Sequence, residues 1–296
     1  MMQTHKVIIV AALTAIICSY GVVKLNQGPV PVAEGVSHAT ETTLARIKRT
    51  GILRCGYNAW PPFFELDPNT KKLTGISKDF SDQIIALAGW KIEYIDVPVG
   101  NDVQDLRTGK VDAMCGAGPW YMAAIKEINF TRPYDYAGVY IYGNEDENRF
   151  AKPEDLNSPQ VQFVGMDGDL SADLVQRFYS QAKIYTLPGT TDLAQMLLNV
   201  TTRKADVVIV DPISVENFNK DNEKKLKPLF PDKPVVVYGA GFSVRKSDND
   251  LLETLNGFTE MAINMGIPDK LLKQYDPNGT MFLFPAKGYQ QRLQYK

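Results

Sequence analysis

Histidine is nearly missing from this sequence. The chain of 296 residues holds two, His5 and His38, both near the N-terminus. That excludes His-dependent catalytic triads and His-ligated metal sites from the body that follows. Cysteine is almost as scarce. Cys18, Cys55 and Cys115 are too few for a disulfide scaffold, and their spacing fits no zinc pattern. An excess of one charge sign is lacking too. Lys plus Arg number 32 against 34 Asp plus Glu, with no Lys/Arg-rich stripe, so nothing marks a nucleic-acid partner. What is present is ordinary globular composition, 44% hydrophobic and 22% charged, in a length that suits about two domains. Neither metal nor cofactor is expected.

One hydrophobic run stands out near the start. Met1 to Lys6 is short and basic, and residues 7–23 carry no charge. This is the n-region and h-region order of a secretory signal. Small residues around Tyr20 suit cleavage after Gly21. The alternative is an uncleaved anchor, because the run is at the lower edge of a membrane-spanning length. Cys18 follows bulky Ile17, where lipidation wants a small residue. Residues 24–43 read as a linker. The body is therefore expected outside the cytoplasm, anchored to a membrane by residues 7–23 if they are retained.

From residue 44 the chain alternates between helical and strand patterns. Helices are expected at 44–50, closed by Gly51, at 79–88 and at 103–108, with strands at 52–56, 91–97 and 111–115. The same grammar returns with strands at 161–166, 183–186 and 205–210 around helices at 171–180 and 192–201. A strand at 235–244, helices at 249–265 and 268–275, and a Pro/Gly-punctuated tail follow. Strands separated by helices imply parallel pairing through right-handed crossovers. The halves also rhyme: Leu106-Arg-Thr-Gly-Lys-Val-Asp-Ala and Val200-Thr-Thr-Arg-Lys-Ala-Asp-Val each set Lys-x-Asp between a helix and a hydrophobic strand.

Six short segments in order carry a more specific resemblance. They are Gly51-Ile-Leu-Arg-Cys-Gly, Trp60-Pro-Pro-Phe, Leu73-Thr-Gly-Ile-Ser-Lys-Asp-Phe, the Leu106 segment above, Asn129-Phe-Thr-Arg-Pro-Tyr and Lys204-Ala-Asp-Val-Val-Ile-Val-Asp211. Together the chain resembles the family-3 extracellular solute-binding proteins, the amino-acid receptors of ABC importers. The resemblance implies an α/β, two-lobe periplasmic-binding-protein fold (type II), each lobe a mostly parallel sheet flanked by helices. It implies lobe 1 from residues 44–142 plus 238–275, lobe 2 from 143–237, crossings near 142–145 and 237–241, and a tail at 276–296. The partners it implies are a small-molecule ligand and an inner-membrane ABC permease, with the receptor a monomer. It also sets Cys55 and Cys115 on neighbouring strands, as a disulfide or as two buried thiols.

The resemblance implies a pocket at Tyr57, Asn58, Trp60, Gly118, Trp120, Tyr121, Asp169 and Asp211. Trp60 stands where the family stacks an aromatic on its ligand, and Asp211 where it binds the α-amino group. An Arg that clamps the ligand's carboxylate is replaced by Ala124, and the Gly-Thr that opens the second lobe's first helix by Asp169. Aromatic faces and acids suit an amine, so the expected ligand is a small polar solute bearing one. For Asp169 and Asp211, plain helix N-caps are the competing reading. No activated catalytic pair is legible, so a non-enzyme is expected. The alternatives are a periplasmic accessory or sensor protein that binds a partner protein, and a dehydratase-like enzyme on the same fold.

Overall fold

The computed structural model describes residues 41–118 and 122–283, in one compact unit beginning at Thr42. The signal or anchor segment at 7–23 lies outside them. Among the described residues no helix is long and apolar enough to cross a membrane.

The first half runs α1 (Thr43–Thr50), β1 (Ile52–Tyr57), a small hairpin of β2 (Glu65–Leu66) and β3 (Leu73–Thr74), α2 (Ile76–Ala86), β4 (Lys91–Asp96), α3 (Asp102–Thr108) and β5 (Ala113–Ala117). After α4 (Met122–Glu127) and β6 (Ile128–Phe130) comes the long β7 (Asp135–Asn144). The second half runs β8 (Gln162–Met166), α5 (Leu170–Phe178), β9 (Lys183–Leu187), α6 (Leu193–Thr201), β10 (Val207–Val210), α7 (Pro212–Asp221) and β11 (Leu226–Pro228). The long β12 (Val236–Arg245), α8 (Asn249–Asn264), α9 (Ile267–Tyr275) and β13 (Phe282–Leu283) complete it.

The strand order is β4-β1-β5-β12-β7-β10-β8-β9. β4, β1 and β5 pair in parallel, as do β10, β8 and β9. The antiparallel pair β7 and β12 joins the two triplets. This is the two-lobe α/β arrangement expected from the alternation. β7 pairs with β12 over Asp135–Val139 and with β10 from Tyr140 onward. β7 thus changes partner between Val139 and Tyr140, two residues before the crossing expected at 142–145.

Local chemistry accounts for the elements. Thr42 caps α1 by accepting from the Ala45 amide, and Gly51 ends it in the left-handed conformation. β10 is buried along its whole length. Val207 and Ile209 face the layer that holds Leu174 and Val175 of α5, while Val208 and Val210 face the α6 layer of Met196, Leu197 and Val200. A sheet covered on both faces reads as a continuous hydrophobic run. In the first half Leu53, Cys55 and Tyr57 share a core with Phe80 and Ile84 of α2. Cys55 and Cys115 are bonded, with Cα atoms 5.7 Å apart. The start of the expected tail returns as β13 on β7, which buries Phe282.

The Lys-x-Asp echo has a structural cause. Gly109 and Arg203 hold the same left-handed turn, at φ 73° and 61°. Asp112 accepts from the Arg54 amide of β1 at 2.8 Å, and Asp206 accepts from the Gln162 amide of β8 at 2.8 Å. Each aspartate ties the start of one parallel strand to its neighbour.

Candidate functional site

A cavity of about 110 Å³ lies where the carboxyl ends of both parallel triplets face each other. Ligands of open α/β sheets bind at such ends. Its walls come from the loops after β1, β4 and β5 on one side and after β8 and β10 on the other.

The loop after β1 presents Asn58 and Trp60. The Asn58 amide donates to Val97 O at 2.9 Å and to Asp102 Oδ1 at 3.1 Å, which ties this loop to the start of α3. Trp60 Nε1 reaches across the cleft and donates to Asp211 Oδ2 at 3.2 Å.

Asp211 ends β10 and caps α7. Its Oδ1 accepts from the Ser214 amide at 2.8 Å and its Oδ2 from Ser214 Oγ at 2.9 Å. Ser214 Oγ also donates to Pro61 O at 3.1 Å. Asp211 is 3% exposed, and burial raises its pKa against the pull of these donors. Asp169 caps α5, accepting from the Ser171 amide at 2.8 Å through Oδ1 and from the Met166 amide at 2.8 Å through Oδ2. Burial pushes it up to about 6 even so. A third acid, Asp102, begins α3 and lines the same cavity, raised by burial despite the Asn58 bond. The described lining residues include no Lys, Arg or His.

The outer end of the cleft closes differently. The Val99 amide donates to Gly189 O at 3.0 Å. A Cβ on Gly189 would sit 2.1 Å from Val99 O, and one on Gly168 would sit 2.3 Å from Gly100 Cα. Only glycine permits so close a backbone approach.

Five of the expected residues, Asn58, Trp60, Gly118, Asp169 and Asp211, line this one cavity. Trp120 and Tyr121 fall outside the described residues. Tyr57 does not reach the cavity. It is 4% exposed, its ring 5.3 Å from that of Phe64 and 6.2 Å from that of Tyr94. The alternation of β1 sends residues 53, 55 and 57 into the core, and only the chain beyond the strand turns to the cleft. Asp169 and Asp211 are helix N-caps, so each carboxylate caps a helix and lines the cavity. Ala124, expected at the place of a carboxylate-clamping Arg, is fully buried in a core with Val97 and Leu106. Arg132 pairs with Glu260 at 2.6 Å on the surface. Asp102 and Tyr238 are among the cavity residues that escaped the sequence reading. Asp102 had a usable signal, an acid opening a helix just after a parallel strand. Tyr238, on β12, falls inside the crossing expected at 237–241, but nothing in the sequence marked its side chain for the cavity.

Comparison with known proteins agrees with the fold. A family model for bacterial extracellular solute-binding proteins, family 3, matches residues 53–278. A probable histidine-binding protein of Campylobacter jejuni is 21% identical over 69% of this chain and 77% of that protein. The crystal structure of the ancestral amino acid-binding protein AncCDT-1, a precursor of cyclohexadienyl dehydratase, is 26% identical. It superposes with a TM-score of 0.69 over 79% of this chain and 99% of that one. A putative ABC-transporter binding component from Wolinella succinogenes, complexed with lysine, is 23% identical with a TM-score of 0.66, over 76% of this chain and 95% of that one.

Proposed function

The chain belongs to the bacterial extracellular solute-binding proteins, family 3, and on that premise we propose that it is the extracytoplasmic receptor of an ABC importer for a small amine-bearing solute. Residues 7–23 deliver it to the periplasm. Lobe 1, residues 44–142 with 238–275, and lobe 2, residues 143–237, close over the solute, and the closed form is what the inner-membrane permease reads. The change of partner along β7 at Tyr140 supports placing a lobe boundary close by.

The observation that carries the reading is a cavity walled by Asp102, Asp169 and Asp211 with no cationic side chain among its described lining residues. An anion placed there meets three acids, one of them the buried Asp211. A cation neutralises them and finds the Trp60 face. Asp211 has lone-pair room beyond its three donors, so an ammonium adds to the site or takes the place of the Trp60 N–H. The probable histidine-binding protein of Campylobacter jejuni is a relative whose named ligand also carries side-chain nitrogen.

Calorimetric titration with alkylamines and standard amino acids tests this. Amines bind, and Asp211→Ala weakens them about a hundredfold, the ~3 kcal/mol of a charge-assisted bond lost from a buried site. Tight binding of an ordinary α-amino acid that survives Asp211→Ala would sink the reading.

A further inference from the structure

One wall of the cavity is the ribbon of β7 and β12, which contributes Val139, Tyr238 and Ala240. Side chains alternate along a strand, and opposite residues of an antiparallel pair share a face. Asp135 stands opposite Ala240, and Ala137 opposite Tyr238. The pair between them, Tyr136 and Gly239, faces the other way: a Cβ on Gly239 would sit 3.2 Å from the Tyr136 ring. The Asp135 side chain therefore lies on the cavity side of the ribbon, behind Tyr238 and Ala240. It is 1% exposed, and among the described residues neither oxygen has a hydrogen-bond partner. Asp169 and Asp211, by contrast, each accept from several donors. A buried carboxylate with neither donor nor cation is too costly to keep as an anion, so it signals a held proton or a missing occupant.

The surroundings of Asp135 supply no cation. Its titratable neighbours are Tyr134, next to it in the chain, and Tyr238, on which the charges of Asp135 and Asp211 both act. β13 brings Phe282 opposite Ala137. α2 brings Phe80, stacked on Tyr134 at 4.6 Å, while its Lys78 bonds Asp82 and its Asp79 bonds Tyr275. The cavity adds only the acids Asp102, Asp169 and Asp211 among its described charged residues. Burial accordingly pushes the Asp135 pKa up to about 8, and the carboxyl keeps its proton at pH 7.

We propose that Asp135 is a proton-exchanging group of the binding site: it holds a proton while the cavity is empty and releases it to solvent when a solute ammonium enters. The proposal rests on the amine reading above and adds regulation to it. The carboxyl O–H bond breaks, its proton passes to the buffer, and the ammonium keeps its own protons, so one positive charge replaces another. Direct contact is not required. A cation within about 6 Å of a buried carboxylate lowers its proton affinity about a hundredfold at the effective dielectric of a protein interior. Affinity for the cation therefore rises with pH up to about 8, and acid favours release.

The test is calorimetric titration of butylamine into the full chain at pH 7 and pH 9, in buffers of different ionisation enthalpy, which counts the protons released. An alkylamine stays largely charged at both values. The expected result is release of about 0.8 proton per butylamine at pH 7 and about 0.1 at pH 9, with affinity about tenfold higher at pH 9. In Asp135→Asn, checked for folding by circular dichroism, the release at pH 7 falls below about 0.2 and the rise in affinity disappears. Infrared difference spectra need no variant: butylamine removes a protonated-carboxyl stretch from the unmodified protein. Binding without proton release at pH 7, an unchanged carboxyl stretch, or a release that survives Asp135→Asn overturns the exchange and leaves the amine reading standing. No binding of butylamine at either pH overturns both.

Discussion

The two ends of the cleft are held by different kinds of contact. Beside the connecting strands, side chains cross the gap: Trp60 Nε1 to Asp211, and Ser214 Oγ to Pro61 O. At the outer end the backbones themselves meet, Val99 N to Gly189 O, with Gly100 against Gly168. A side-chain bridge can lengthen, swing away or trade its partner for a ligand. A backbone-to-backbone contact has no such slack, because a single added methyl group collides with it. The inner end therefore suits recognition, and the outer end suits an all-or-none registration of the closed form.

The largest expected effect tests whether either end depends on how firmly the first lobe is held. The Cys55–Cys115 bond spans 60 residues of sequence. Replacing both cysteines with serine lowers unfolding stability by about 4 kcal/mol on the chain-entropy account. It leaves solute affinity nearly unchanged, because neither end uses the bond. Urea denaturation with parallel calorimetry checks this, and a matching loss of affinity would show that the ends do depend on it.

Next comes a direct break of the outer end. Gly189 lies outside the left-handed region, so Gly189→Ala costs the backbone nothing by itself. The new Cβ strikes Val99 O and blocks registration. Solute binding weakens about a hundredfold, ~2.8 kcal/mol, with a larger radius of gyration in small-angle scattering and an unchanged melting temperature. If Trp60→Phe, which removes one inner hydrogen bond, costs as much as Gly189→Ala, the contrast between the ends is lost.

The smallest effect concerns the strands between the ends. Asp135 opens β7, is 1% exposed, and has no hydrogen-bond partner for either oxygen. Burial pushes its pKa from 3.8 up to about 8. Between those values the folded chain keeps a proton that the unfolded chain releases, so stability falls as pH rises through the window and the loss is complete above it. Asp135→Asn removes that slope. It gains about 2 kcal/mol at pH 7, after the buried amide's own unmet bonds are set against the gain, and loses about as much at pH 4, where only those unmet bonds remain. Melting temperatures across pH check it, and equal slopes in the two proteins would overturn it. Solute affinity measured in parallel shows whether the connecting strands act independently of both ends.

Much of this architecture was legible along the chain. Apolar periodicity and capping residues located α1, β1, α3, α6 and β10 to within a residue or two. The start of α2 was placed three residues late, because Ile76 to Lys78 follow Gly75 without a side-chain cap. β7 was missed, although Tyr136, Tyr140 and Tyr142 recur at even spacing within it. It pairs first with β12 and then with β10, so its burial follows no single face. Of the site, the residues that cap helices at strand ends, Asp169 and Asp211, were readable because capping and lining the cavity both follow from position. Tyr57 was misplaced because one step along a strand reverses the side a residue faces.

The sequence by itself determined the alternating α/β grammar, the matched Lys-x-Asp turns of the two halves and the acids at the strand ends. These depend on residue spacing and on bonds to near neighbours in the chain. Tertiary structure alone decided that Cys55 meets Cys115, that Asp102 joins Asp169 and Asp211 around one cavity, and that Val99 meets Gly189. Each pairs residues tens of positions apart, and their separation is set by how two sheets pack about β7 and β12, a distance that no local pattern encodes.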